Sequence, residues 1–347
     1  MMEEQYINKL LSEEYTKNET VHEVHPKVSI SLLAYNHERF VAEAIESLLS
    51  QEVNFAYEIV VGEDCSLDST REIVLNYQRR HPDKIRVFLS KEPLNDRKNG
   101  RLNFVRNLKA CRGEYVALLD GDDYWTSPHK LQKQVDFLDS YPDCVLCFHP
   151  VVRIYDQGNK PEEVSYPPGK KGFYTLKDLL EKNFIMTSSA VFRNKLFHTF
   201  PDWYFHIAMG DWPLHLLNAE HGVIGYLDEI MSVYRIHPGG SWTLREKIQT
   251  YLDNIQSYKF YDSYFGGKYR RLIKSQISRC YYGLALTYGQ QQQTSAALFS
   301  FLRCAQASPA FPHVPYRKLV SEMIKCSSPR LFGLLALCKS RLSGGCR

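Results

Sequence analysis

The sequence predicts an α/β protein: a doubly wound, mostly parallel sheet with helices on both faces, followed by a helical C-terminal region. Three observations predict it. Short apolar runs rich in β-branched residues alternate with stretches of helical period. Polar, acidic loops follow the first, second and fourth of these runs, where an open α/β sheet binds its ligands. Beyond about Trp242 the strand signals vanish, while Tyr, Leu, Lys and Arg recur at helical spacing to about Leu302. The division expected is a polar segment over residues 1–26, an α/β domain over 27–243 and a helical region over 244–347.

The elements follow in order. Val28–Ala34 is a buried strand. Val41, Ala44, Ile45, Leu48 and Leu49 give a helix its apolar face. Tyr57–Gly62 is a second strand. Ser69 and Glu72 have capping-box spacing and open a helix that turns Ile73, Val74 and Tyr77 inward. Ile85–Leu89 is a third strand, Asn103–Cys111 a helix and Tyr115–Leu119 a fourth strand. Ser127 is an N-cap with Pro128 at the first helical position, and Leu131, Val135 and Leu138 stripe that helix. Cys144–Ile154 is a fifth strand. Residues 151–174, with Gly158, Pro161, Pro167, Pro168 and Gly169, read as a loop or hairpin. Thr187–Phe192 and Val223–Tyr226 are strands, with a helix from about Asp211 to Glu220 between them. Gln290–Gln293 is a loop or helix end.

Composition narrows the function. At about 150 residues per domain, 347 residues suit two domains. Apolar residues at 44% and charged residues at 24% exclude disorder, collagen and coiled coil. A net charge of +4 is too small to imply a nucleic-acid partner. The first 27 residues lack the apolar centre of a secretory signal, and no run approaches the ~20 apolar residues of a spanning helix. Nine cysteines without an export signal read as reduced thiols in the cytoplasm. Cys144 and Cys147 form a C-x-x-C that reads as two buried small residues rather than a zinc or redox pair.

Chemistry concentrates in the loops. Leu118–Trp125 (LLDGDDYW) sets three carboxylates at the mouth of the sheet, with Gly121 allowing a tight turn. Like charges this close raise one another's pKa unless a cation neutralises them. Mg²⁺ or Mn²⁺ takes one or two carboxylates plus substrate phosphates. Asn36 and Asp64 end the first and second strands and reach the same crevice as Asp120. No G-x-G-x-x-G follows the first strand and no P-loop occurs, so a metal on the D-x-D is left to hold phosphate. Other residues keep two readings. Asp64 caps a turn or accepts from a nucleotide. Asp211 caps a helix or acts as a base. His237 is a loop histidine or a ligand. Arg97, Lys98 and Arg101 form a solvated basic loop or meet phosphates. Trp203, Trp212 and Trp242 pack in the core or stack on sugars.

Ser29–Asn36 (SISLLAYN), Val61–Thr70 (VGEDCSLDST), Gly113–Trp125 (GEYVALLDGDDYW), Pro128–Phe137, Met209–Leu217 (MGDWPLHLL) and Ser232–Trp242 (SVYRIHPGGSW) together resemble the family 2 glycosyltransferases. These are inverting enzymes of the GT-A fold, and the resemblance covers about residues 27–243. It implies that the loop Tyr35, Asn36 and Glu38, with Asp64, holds the nucleotide. Asp120 would lie at the ribose, and Asp122 would ligate Mg²⁺ or Mn²⁺. His237 would reach the metal or the diphosphate. Asp211 would be the general base, and Gly210 stands where many members have Glu. A nucleotide-sugar donor, most simply UDP-linked, and a glycan or lipid-linked acceptor in surface-polysaccharide assembly are implied. A sugar-nucleotide nucleotidyltransferase and a non-catalytic sugar-binding protein are the alternatives. The first usually needs a Gly-rich basic loop after the first strand, and Tyr35-Asn36-His37-Glu38 is not one. The last residues are basic around the apolar run Leu331–Cys338. They either dock as a final helix or make peripheral contact with anionic lipid at the inner face of the plasma membrane.

Overall fold

A computed structural model describes residues 14–15, 25–91, 100–156, 161–240 and 245–307. Arg97, Lys98, Trp242 and the basic C-terminal tail lie outside the described residues. The chain divides into two compact units, Met1–Leu244 and Arg245–Arg347.

The first unit begins β1 (Val28–Ala34), α1 (Val41–Leu49), β2 (Tyr57–Glu63), α2 (Thr70–Arg80), β3 (Ile85–Leu89), α3 (Arg101–Ala110) and β4 (Tyr115–Asp120). There follow β5 (Tyr124–Trp125), α4 (Lys130–Ser140), β6 (Cys144–Phe148), β7 (Val151–Tyr155), β8 (Glu163–Ser165), β9 (Phe173–Tyr174), α5 (Leu176–Glu181), β10 (Val191–Arg193), α6 (Asp211–Ala219), β11 (Val223–Tyr226) and β12 (Ser232–Ile236). The main sheet has the order β3-β2-β1-β4-β10-β6-β11-β9. Strands β1 to β4 are mutually parallel, and β10 runs antiparallel to both its neighbours. A second sheet has the order β5-β12-β7-β8.

Period-2 alternation decides what covers each face of the main sheet. Val28, Ile30, Leu32 and Ala34 of β1 meet Val41, Ala44, Ile45 and Leu48 of α1, Val74 and Tyr77 of α2, and Leu131, Val135 and Leu138 of α4 in one core. The opposite face carries Ser29, Ser31 and Glu58, and α3 covers it with buried polar side chains. Asn107 Nδ2 donates to Ser31 Oγ and to the Val60 carbonyl, both at 2.9 Å. Asn103 Nδ2 donates to the Gly62 carbonyl at 3.0 Å. A Cβ on Gly62 would sit 2.6 Å from Asn103 Oδ1, so only glycine lets α3 this close to the sheet.

Several expectations need correction. The strand over Cys144–Ile154 is two strands in different sheets, β6 and β7. Pro150 lacks an N–H and holds His149 off the ladder, so the chain breaks there. Within Thr187–Phe192 the first three residues form a 3₁₀ turn, in which Ser189 Oγ donates to the Met186 carbonyl. Ser69 is the N-cap of α2 but makes no capping bond. Asp68 takes that role, its Oδ1 accepting from Thr70 N at 3.0 Å. Helix α4 starts at Lys130 with His129 as its N-cap, after a turn that Ser127 opens. Residues 151–174 do contain a hairpin, β7 with β8. Cys144 and Cys147 are buried, and burial raises both thiols, that of Cys144 to about 11.

The second unit holds α7 (Lys247–Tyr264), α8 (Arg270–Gln290) and α9 (Thr294–Ala307). Gly266 (φ 56°) and Gly267 (φ 77°) supply the left-handed turn between α7 and α8. Ala285, Phe301 and Cys304 form its core, and Gln290–Gln293 ends α8. No helix among the described residues is long and apolar enough to cross a membrane.

Glu58 ties the amino ends of the parallel strands together. Its carboxylate accepts from Ser29 Oγ of β1 at 2.5 Å, from Arg86 of β3 at 3.2 Å and from Arg112, just before β4, at 2.6 Å. Burial would raise its pKa, but Arg112, Ser29 and Arg86 hold it below the ordinary 4.5. We expect Glu58→Gln to cost about 3 kcal/mol in a denaturant titration, since it strips a buried cationic pair of its partner. The depressed carboxyl stabilises fully above its unfolded pKa and loses that stabilisation as pH falls through the folded one. The variant should therefore lose less stability than the wild type between about pH 5 and about pH 3.

Candidate active site at the carboxyl ends of the strands

Strand register puts Ala34 beside Glu63 and Leu33 beside Asp120. The loops after β1, β2 and β4 thus open on one crevice, where the strand order reverses between β1 and β4.

The first two loops are locked to each other. Asn36 N donates to Ser66 Oγ at 3.0 Å, and Asn36 Oδ1 accepts from Leu67 N at 2.9 Å. His37 N donates to Thr70 Oγ1 at 2.7 Å, and Glu38 Oε2 accepts from Ser69 N at 3.0 Å. Asn36 holds φ 54°, a left-handed conformation its short polar side chain tolerates. Tyr35 is half-buried at the lip and Asp64 is buried, its N–H bonded to the Ala34 carbonyl at 3.1 Å. Of the nucleotide candidates, Tyr35, Asn36, Asp64 and Asp120 share this mouth, while the Glu38 carboxylate serves the loop-to-loop lock.

The loop after β4 is pressed against the first. Gly121 N donates to the Leu33 carbonyl at 2.7 Å. A Cβ there would lie 2.8 Å from His37 Nδ1 and 3.0 Å from that carbonyl. Gly121 does lie in the tight turn expected, closed by Asp123 N on the Asp120 carbonyl at 3.0 Å, but its φ is not left-handed, so it is the close approach that calls for glycine.

The carboxylates beside it repel one another. Burial, then Asp122, then Asp211 push the Asp120 carboxyl up to about 8. Asp211 therefore lies near enough to Asp120 for its charge to be felt there. It is the first residue of α6; Gly210 is the N-cap and no side chain caps the helix, which removes the helix-cap reading. Asn183 Nδ2 approaches Asp211 Oδ2 at 3.5 Å.

Asp122 has the opposite balance. Burial would raise it, but His37 and His237 hold it below the ordinary carboxylate range. His237 Nε2 is 3.0 Å and His37 Nε2 3.7 Å from Asp122 Oδ2. Burial lowers His37 despite Asp122 beside it. Asp123 turns inward. One oxygen accepts from Arg235 N at 2.8 Å, the other is buried without a partner, and its pKa is raised well above normal by burial and by Asp122 and Asp120.

Arg235 clasps this loop. Nη1 donates to the Asp122 carbonyl at 2.7 Å, Nη2 reaches Glu43 at 2.8 Å, and the guanidinium lies over the rings of Phe40 and Tyr124. Arg235, His37, Asp123 and Asn183 were not among the candidates read from the sequence. Arg235 and His37 stood inside quoted segments without a role of their own, because their partners are distant in the chain.

The donor set fits a hard divalent cation. Asp120 and Asp122 offer carboxylate oxygens at one mouth, and burial with its acidic neighbours raises Asp120 to about 8, a shift that a cation beside it would oppose. No three such side chains are already gathered as a cation cage among the described residues. Of the other residues in question, Arg101 is buried rather than solvated, and Trp212 packs in the core with Nε1 on the Leu179 carbonyl.

Comparison with known proteins bears on family and fold. Residues 29–200 match the family model described as glycosyl transferase family 2. A protein of Mycobacterium bovis is 38% identical over 216 residues, which are 62% of this chain and 60% of that protein. The chain thus spans less than two thirds of that relative. A glycosyltransferase of Nostoc, itself uncharacterized, is 31% identical over 61% of this chain and 65% of its own length. Among solved structures, Staphylococcus aureus TarS 1–349 in complex with UDP-GlcNAc aligns with a TM-score of 0.59 at 19% identity, over 86% of this chain and 83% of that one. The mannosyltransferase PcManGT of Pyrobaculum calidifontis, in complex with GDP-Man and Mn²⁺, aligns at 0.50 and 15% identity over 94% of both chains. The two structures share the fold.

Arg235→Met should lower stability by about 1–3 kcal/mol, because the buried Asp122 carbonyl loses a charged donor. Glu43→Gln touches only the half-exposed arm of the clasp and should cost less than about 1 kcal/mol. Thermal melts of both variants check the ordering, and equal losses would place the clasp's strength in the surface pair.

Proposed function

We propose that this chain, a member of glycosyl transferase family 2, moves a sugar from a nucleoside-diphosphate donor to an acceptor hydroxyl by one inverting displacement. As a family member it is a glycosyltransferase. One observation carries the finer reading: Asp122 and Asp211, from two separate segments, both lie near enough to Asp120 to raise its carboxyl.

In this reading Tyr35, Asn36 and Asp64 receive the base at the ends of β1 and β2, and Asp120 meets the ribose. Asp122, with His237 beside it, would hold Mg²⁺ or Mn²⁺; when bound, the cation offsets charge developing on the departing diphosphate. Asp211 accepts the proton of the acceptor hydroxyl. The acceptor oxygen bonds to the anomeric carbon as that carbon's bond to the diphosphate oxygen breaks, through an oxocarbenium-like state. Asn183 keeps the Asp211 carboxylate turned toward the crevice. TarS complexes with UDP-GlcNAc and UDP, and the PcManGT complex with GDP-Man and Mn²⁺, support a nucleotide-sugar donor and a divalent ion. UDP is our first choice. A glycan or lipid-linked acceptor, a cytoplasmic location and peripheral lipid contact through the basic tail complete the proposal.

Two outcomes are expected. UDP binding measured by calorimetry with Mn²⁺ should weaken on adding EDTA and in Asp122→Ala; equal affinities throughout would sink the metal role. Asp211→Asn keeps shape but cannot take the proton, so transfer should fall 10²–10⁴-fold while UDP affinity holds. A rate above about a tenth of wild type would leave Asp211 without a proton-transfer role.

A further inference from the structure

Arg101 is the first residue of α3 and only 2% exposed. Its Nη2 donates to the Ile207 carbonyl at 3.0 Å, and its guanidinium lies 4.7 Å from the centre of the Tyr204 ring. Its Nη1 and Nε have no hydrogen-bond partner. A permanently charged guanidinium kept from water with two donors unpaired is costly unless an anion joins it.

The place of that anion follows from Gly210. A Cβ on Gly210 would lie 2.7 Å from Arg101 Nη1. The guanidinium therefore stands where a side chain at 210 would begin, one residue before Asp211. Gly210 has φ −96° and ψ −46°, which any residue adopts, so the backbone does not demand glycine; a side chain there would have to displace the guanidinium. Tyr204, under the guanidinium, donates its hydroxyl to the Gly210 carbonyl at 2.8 Å, so ring, guanidinium and the start of α6 form one rigid block. At the other end of the same turn, Gly100 faces Asp64: a Cβ there would be 3.9 Å from Asp64 Oδ2. Arg101 thus lies between the nucleotide end of the crevice and its reacting end.

We propose that Arg101 Nη1 recognises an anionic group, a carboxylate or phosphate, carried by the sugar being transferred or by the acceptor next to the reacting centre. This rests on the glycosyl-transfer reading of Asp211. Gly210 sets no side chain beside Nη1, so that donor is left for the substrate. The donor diphosphate is the less apt partner, because in this reading its place is set by Asp122, whereas Nη1 adjoins Gly210, one residue before Asp211.

Calorimetry on the full chain with Mn²⁺ tests this in steps. UDP and GDP are titrated first, and binding of neither sinks the donor reading and this inference with it. The donor arm then compares UDP-glucuronate with UDP-glucose, or GDP-mannuronate with GDP-mannose. The acceptor arm compares glucuronate and glucose 6-phosphate with glucose, each added to the protein saturated with nucleotide. We expect the charged member to bind roughly 10- to 100-fold tighter in one arm, the range of a charge-assisted hydrogen bond; the arm locates the anion. Arg101→Gln should erase that preference and Arg101→Lys keep part of it, with free-nucleotide affinity as internal reference. No preference in either arm would reduce Arg101 to a clamp on the segment from Ile207 to Gly210. Equal weakening of free nucleotide and sugar nucleotide in Arg101→Gln would assign it to the diphosphate instead, and either result overturns the proposal. The wild-type comparison decides even if the variants fail to fold.

Discussion

Repulsion at Asp120, from Asp122 and Asp211, is the constraint on which the crevice depends. Three carboxylates cannot be held this close unless the fold supplies compensation at the same point. It does so unevenly. Asp122 has two histidines and a clasping arginine on its backbone, and stays ionised. Asp120 has no such cation and keeps its proton up to about 8. The compensating groups come from far along the chain: His37 after β1, Arg235 and His237 at the end of β12. A second small sheet exists largely to deliver the last two, since β12 pairs with β5, which follows the acidic loop directly.

The same logic explains why the two loops after β1 and β2 bond to each other so thoroughly. Their short polar side chains pin Asn36 and Asp64 without help from bulk. The opposite face of the sheet is organised differently. There α3 meets the strands through asparagines that donate to strand carbonyls, where a helix of ordinary pattern would bring leucines.

Much of this was legible in the sequence, because the signals are local. The apolar runs of β1 to β4, the helix period of α1 and the D-x-D depend on neighbours a few residues away. What escaped depends on distant partners. Nothing near Arg235 announces that its guanidinium will meet the Asp122 carbonyl, and nothing near Gly210 announces a buried Arg101. Gly121 was rightly read as a turn residue, but sequence alone cannot see His37 pressing on it. The short strands β5 and β12 carry only two and five residues and draw their order from pairing, so propensity could not find them. The break at His149-Pro150 was in principle readable, but the apolar run through it outweighed the proline.

The edge of the main sheet has one more consequence. Glu14 bridges to Phe88, Tyr15 N donates to the Val87 carbonyl at 2.9 Å, and Arg86 grips Glu14 at 2.7 Å. An outer parallel strand otherwise presents a row of unpaired amides to any chain that passes. Here Glu14 and Tyr15 occupy part of that row, Glu14 with a charge pair rather than with apolar bulk. The backbone groups they meet are thereby withheld from edge-to-edge pairing with another chain.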